Sequence, residues 1–390
     1  MNQLLFEGRS LAGIVSSIIR QDALRVSYSR LDWEHMFRIA DYHKVANIVY
    51  LGILGYRDSL PEKWWERFFE KYQESLLFGE NYKDSIREVL TWLDMRGISC
   101  TVLISEAVRE LYQIPEAADV APLQIFLNEE KYNLVKGYLI DLGYETDQVY
   151  SGLGERFQRV SSIPISLFHK LPFRTTGYDR NMRRILETAI LREPYKYIRI
   201  LPVESEFLFR IAGAAYRYVT DELTMREVLD LQLCHRAWRD HIRKDAVKKR
   251  LGDFQVDELA EKLLRLSYMW FGDKKDQYYE GPPENMAEYD VLEERLLTRG
   301  MVNHEADEQA LKLQKLVQKE LDKEKREEEK KKRKERRKER WEKMQRWFRW
   351  AFPDYHYMSS IYPKVEKIPA LLPVFWIVRG VRLIWRALAG

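Results

Sequence analysis

The stretch ADVAPLQIFLNEEKY, residues 118–132, decides how this chain is read. It follows DMRGISCTVLISEAVRELYQIPE, and the two together alternate strand, helix, strand, helix. ISCTVLI (98–104) is a β-branched run bounded by Gly97 and Ser105, the pattern of a buried strand. A helix over 105–113 follows, then a strand over 123–127, then a helix over 129–142 that stops at Gly143. At the head of such a second strand some enzymes place two carboxylates two residues apart, because residues i and i+2 of a strand face the same side. Here the two slots hold Pro122 and Gln124. Either the chain holds a metal by other ligands, or it keeps an enzyme scaffold without the chemistry.

Outward from this stretch the pattern is mostly helical. Residues 1–97 read as helices, with Pro61 opening one at its first turn and Gly97 closing the last. SSIPISLFHKL (161–171) reads as a further strand. From Glu204 to Gly272 the helical period returns, and Gly281-Pro282-Pro283 breaks it. The central part is α/β or α+β with a small sheet. The whole is read as α+β: a small mixed-sheet core, 98–200, between helical regions at 1–97 and 201–300. A long charged helix over 301–352 and an amphipathic segment over 353–390 complete the expected division.

Composition agrees with a globular chain: 390 residues, 45% hydrophobic, 32% charged. The net charge of +4 names no partner by itself. Cys100 and Cys234 form no CxxC or other metal spacing, so a reducing, cytoplasmic setting is expected. MNQLLFEGRSLAGIVSSIIR lacks a basic leader and reads as an amphipathic helix, not a signal peptide. The longest uncharged stretch near the other end, Ile368–Val378, is 11 residues, short of the roughly 20 that span a bilayer. From Asp322 to Arg340 every residue is charged, 12 basic and 7 acidic. Glu327, Glu328 and Glu329 each precede a Lys or Arg by four, which supports a solvated helix; over 305–350 it would be roughly 70 Å long. The interleaved acids argue against nucleic acid as a partner.

These residues carry a family resemblance over most of the chain. WEHMFRIADYHKVANIVYLGIL, with His43 in an A-x-x-H-x-V-like position, opens it. LTWLDMRGISCTVLI, LYQIPE and LNEEKYNLVKGYLIDLGYE continue it, then PISLFHKL with its terminal His169. LPVESEFLFRIAGAAYRY, MREVLDLQL with Arg226 and Asp230, and IPALLPVFWIVRGVRLIWR complete the layout. The chain resembles a bacterial family of uncharacterised nucleotidyltransferases found beside polysaccharide or peptide biosynthesis genes. The resemblance implies Mg²⁺-dependent nucleotidyl transfer, in which two ions bridge attacking and leaving oxygens and need carboxylate ligands.

Laid on that pattern, the Lys-Gly pair after the first strand falls on Ile104 and Ser105, and an arginine on Ala118. The Asp-x-Asp pair falls on Pro122 and Gln124, and the third acid, two before His169, on Leu167. Ser105 remains a candidate for the nucleotide-binding turn. Pro122, Gln124 and Leu167 leave the metal site degenerate, so no catalytic or metal residue is assigned and no cofactor is expected; Mg²⁺ belongs only to an active alternative. Asp119, Glu116 and Glu106 are acids near in sequence; Asp119 is out of phase with Gln124, and Glu106 reads as a charge facing a helix N-terminus. His43 and His169 read as core histidines, and Cys234-His235 with His241 lack a second ligand pair for zinc. No GxSxG, Walker A, GxGxxG or HExxH occurs.

Two late stretches are amphipathic. In WEKMQRWFRWAF, Trp341, Met344, Trp347, Phe348, Ala351 and Phe352 share an arc opposite Lys343, Arg346 and Arg349. In VFWIVRGVRLIWRALAG, Arg379, Arg382 and Arg386 oppose Ile377, Val381, Ile384, Trp385 and Leu388. Apolar faces opposite arginines suit a helix lying in an anionic headgroup layer. The expected function is that of a degenerate family member, a binding or scaffold subunit beside a protein partner of a biosynthetic assembly, peripheral on the inner membrane face. The alternative is an active Mg²⁺-dependent nucleotidyltransferase acting on a sugar, peptide or protein.

Overall fold

The computed structural model describes residues 3–23, 30–104, 106–118, 121–150, 152–160, 162–173, 176–273, 279, 283, 285–303, 341, 344 and 352–389. Two compact units divide it, Met1–Glu305 and Ala306–Gly390.

The first unit is α+β. Its leading helices are α1 (Gln3–Arg20), α2 (Trp33–Tyr42), α3 (Ala46–Ile53), α4 (Glu62–Glu80) and α5 (Tyr82–Met95). β1 (Cys100–Ile104), α6 (Ala107–Glu110), β2 (Leu123–Leu127) and α7 (Glu129–Asp141) follow. Then come β3 (Glu145–Val149), β4 (Gly154–Gln158), β5 (Ile165–Phe168), α8 (Thr176–Leu186), β6 (Ile190–Leu191) and β7 (Ile198–Ile200). Helices α9 (Val203–Val219), α10 (Met225–Trp238), α11 (Lys244–Asp253), α12 (Asp257–Phe271) and α13 (Met286–Glu294) complete it.

The seven strands form one mixed sheet in the order β3-β4-β5-β2-β1-β7-β6. β1 and β2 are antiparallel, whereas β2–β5 and β1–β7 are parallel. Strand period two splits β2 cleanly: Leu123, Ile125 and Leu127 turn to one face, where they pack with α5 and α7 through Leu90, Leu93, Val135 and Leu139. Fully burying an aliphatic side chain of this kind stabilises by about 1.5–3 kcal/mol. The opposite face of the sheet looks towards the larger helical core, to which Phe168 of β5 and Phe207, Leu208 and Leu231 of α9 and α10 belong. Gly154 is required where β4 meets β5, because a Cβ there would collide with the Leu167 carbonyl.

The helix expected over 105–113 shrinks to a single turn, Ala107–Glu110. Ile114, held extended before Pro115 (φ −107°, ψ 103°), cannot continue a helix, and the chain instead makes a 3₁₀ turn over Pro115–Ala117. The strand within 161–171 is Ile165–Phe168. The hairpin β3–β4 and the short pair β6–β7 add four strands that the sequence pattern does not announce.

Capping interactions fix two of the helix ends. α10 starts with a capping box: Thr224 N–H donates to Glu227 Oε2 at 3.0 Å, and Glu227 N–H to Thr224 Oγ1 at 3.4 Å. α2 ends in a Schellman turn, with Val45 N–H donating to Ala40 O and Lys44 N–H to Asp41 O. The left-handed position of that turn, usually glycine, is Lys44 (φ +57°).

In the second unit, α14 (Tyr355–Ile361), α15 (Pro363–Lys367) and α16 (Leu372–Ala389) are described. Asp354 caps α14 by accepting from Tyr357 N–H. α16 is held through Trp376, whose Nε1 donates to Pro353 O at 3.0 Å, and through Phe375 against Tyr362. The charged run 322–340, Trp347, Phe348 and Ala351 lie outside the described residues, as does the side chain of Arg386.

Candidate functional site

One lateral row of side chains crosses the sheet on the face towards the helices. Ile104 of β1 pairs with Gln124 of β2, Gln124 with Ser166 of β5, Ser166 with Arg156 of β4, and Arg156 with Gln148 of β3. Directly paired residues of neighbouring strands point to the same side. All five line one cavity of about 370 Å³, with Pro122 among its other lining residues. Arg210, Ala214 and Arg217 of α9, and Arg226, Glu227 and Asp230 of α10, form the opposite wall. A second cavity of about 460 Å³, lined by residues of α2, α3 and α4, shares Lys44, Pro122 and Arg156 with the first, so the two meet in one cleft.

This register separates Pro122, Gln124 and Leu167. Pro122 and Gln124 both line the cleft. Leu167 does not: it pairs with Ile125 and is fully buried in the core beneath α5 and α7. The residue beside Gln124 on the cleft face is Ser166. On the cleft face the row therefore offers an amide and a hydroxyl, with a guanidinium next to them. Mg²⁺ needs hard oxygen ligands, carboxylates above all. A divalent cation would also face the Arg156 charge one strand away. The residues of the row do not fit a divalent metal, and among the described residues no group of three or more His, Cys, Asp or Glu side chains is placed to hold one.

The acids that do line the cleft are committed elsewhere. Glu227 caps α10 and lies 2.6 Å from Arg217 Nε. Asp230 accepts from the Tyr112 hydroxyl at 2.6 Å; burial pushes the Tyr112 phenol well above its ordinary value, so it stays a donor. Asp41 and Glu74 lie 3.1 and 3.5 Å from Lys71 Nζ. Arg210 is held by Glu206 one turn before it.

Arg226 is structural. Its guanidinium donates to Lys44 O at 2.9 Å, Ala117 O at 2.6 Å, Asn47 Oδ1 at 2.7 Å and the Tyr112 hydroxyl at 3.1 Å. It ties α10 to the α2–α3 turn and to the 3₁₀ turn before β2. His43 reinforces this joint: fully buried, it accepts from Met225 N–H on Nδ1, and its carbonyl accepts from Arg226 N–H. Burial lowers its pKa to about 4, so the ring is neutral. His169 packs edge-on against Tyr132 and is absent from the cleft lining.

The remaining candidates separate. Ser105 and Asp119 lie outside the described residues. Glu106 is bound by Arg192, and the carbonyls of Glu116 and Ala118 accept from Asn47 and Ser75. Cys234 is fully buried and His235 stacks on Phe207. On α16, Arg379 lies over the Tyr357 ring at 5.5 Å, whereas Arg382 is exposed. Trp385 (75% exposed), Ile377 (69%), Val374 and Val381 form an open apolar face.

Sequence reasoning missed Arg156 and Lys44. Arg156 belongs to a hairpin without a strand signature, and its place beside Ser166 follows only from pairing. Lys44 carried no local signal, because its left-handed backbone shows only in the structure.

Residues 29–272 match the family described as an uncharacterised nucleotidyltransferase, and the chain belongs to that family. No curated protein and no solved structure matches it significantly.

Proposed function

We propose that this member of the nucleotidyltransferase family is catalytically degenerate and works as a binding or scaffold subunit of a biosynthetic system. The observation that carries the reading is the row Gln124–Ser166–Arg156, which holds no carboxylate on the cleft face of the sheet. Without anionic oxygens, two-metal phosphoryl chemistry has no ligands in this row, and Glu227 and Asp230 across the cleft are engaged by Arg217 and Tyr112. The competing reading, an active Mg²⁺-dependent transferase, would need those two acids to leave their partners.

Peripheral association with an anionic membrane surface, in the cytoplasm, belongs to the same proposal. The open apolar face of α16 with Arg382 beside it supports that reading. No helix among the described residues is long and apolar enough to cross a membrane. A protein partner in the same assembly is part of the proposal as well.

The test is calorimetric titration of the full chain with ATP, GTP, CTP and UTP, each with and without Mg²⁺. We expect that Mg²⁺ adds nothing to the affinity for any of them. Micromolar binding that appears only with Mg²⁺ would overturn the degenerate reading.

A further inference from the structure

We propose that the cleft binds the phosphate groups of a small phosphorylated ligand directly, through Arg156 and Lys44, with no metal ion between them. This rests on the reading that the metal site is degenerate, and goes further by naming what took its place.

Arg156 and Lys44 stand where the two cavities join, each lining both. Arg156 is in one ion pair, and Lys44 is in none among the described residues. Arg156 Nε is buried without a hydrogen bond among the described residues, and the nearest carboxylate, Asp147 Oδ2, is 3.4 Å away. The Lys44 side chain is exposed. The arginines on the opposite wall are in closer ion pairs, Arg217 at 2.6 Å from Glu227 and Arg210 at 2.6 Å from Glu206. A guanidinium meets phosphate oxygens in a fixed fork and an ammonium meets them as a point charge, so the pair can replace what Mg²⁺ supplies in an active site.

Two further features suit such a ligand. Tyr150 and Phe168 stack with ring centroids 5.1 Å apart, and both line the cavity beside the row, giving an apolar wall for a ring or sugar. The cavity, about 370 Å³, falls within the roughly 300–1,000 Å³ of ligand pockets. Lys44 also occupies a left-handed backbone position that glycine would fill with less strain.

The geometry yields an uncommon signature. Mg²⁺ and the two cations compete for the same oxygens, so chelating the metal should strengthen binding. Full-length protein is titrated calorimetrically with pyrophosphate and with ATP, in EDTA and in saturating Mg²⁺. We expect both to bind in EDTA and to weaken several-fold in Mg²⁺. Arg156→Gln and Lys44→Gly should each weaken binding in EDTA at least tenfold, with thermal melts confirming folded protein. Lys44→Gly guards against misfolding, since glycine suits that backbone better than lysine.

No binding of either ligand in EDTA or Mg²⁺ would overturn this inference and leave the degenerate reading standing. Binding that requires Mg²⁺ would overturn both. Wild-type affinity in the two variants would place the ligand elsewhere and overturn this inference alone.

Discussion

Replacing Lys44 by glycine should make the protein more stable. Lys44 closes α2 in the left-handed region at φ +57°, with its N–H and that of Val45 completing the turn. A side chain in that region costs about 1–2 kcal/mol, because Cβ crowds the following carbonyl. Glycine removes the crowding but adds unfolded-state freedom, which costs about 0.5–1 kcal/mol. The side chain of Lys44 makes no ion pair among the described residues, and the contact Arg226 makes is to its carbonyl, which glycine keeps. The net expectation is a gain of about 0.5–1 kcal/mol. Urea unfolding followed by far-UV circular dichroism, with the slope unchanged, reads this as a higher midpoint. A midpoint lowered by an equivalent of about 1 kcal/mol or more would refute the reasoning, since it would mean the side chain contributes to the fold.

Other perturbations give sharper losses. Arg226→Met removes the donor for four acceptors at the joint between α10, the α2–α3 turn and the 3₁₀ turn, and should destabilise by about 3–5 kcal/mol in chemical unfolding; a loss below about 1 kcal/mol would contradict that role. His43 and His235, each lowered by burial from 6.5 to about 4, bind a proton more readily unfolded than folded. Their contribution is complete above pH 6.5 and is lost as pH falls towards 4, by at most about 3 kcal/mol each, so the urea midpoint should drop between pH 7 and 5. His43→Gln should flatten that drop, and an identical pH profile would count against it. Burial pushes the Cys100 thiol up to about 12 and raises Cys234 as well, so a thiol reagent at neutral pH should label neither until denaturant is added. Flotation with phosphatidylserine-containing vesicles should carry the wild type upward and leave Val381→Asp behind, because Val381 is exposed on the apolar face of α16; equal flotation would exclude that face as the lipid contact.

Much of the core was legible because its signals are local. ISCTVLI and LQIFL are apolar runs bounded by turn residues, and they became β1 and β2. Gly143, at φ +82°, ended α7 where expected. The hairpin was not legible because β3, ETDQV, is exposed at all five positions and carries no alternation. Pro122 and Gln124 could be placed in the cleft from the strand pattern, whereas the third position depended on the parallel register of β2 and β5. That register exchanges Leu167 for Ser166, since a one-residue shift along a strand turns a side chain to the other face. Arg156 escaped notice for the same reason: its partner row is built from four separated strands.

The absence of metal ligands in the cleft row is tested most directly by electron paramagnetic resonance of Mn²⁺, which reports whether the ion is captured. Manganese is mixed with equimolar ATP and the free-ion signal is compared with and without the full chain. The account predicts a free signal that is unchanged, or raised as the protein draws ATP away from the metal. A signal that falls by one or two ions per chain would contradict it, and would mean that Gln124 and its neighbours stand in a working metal site.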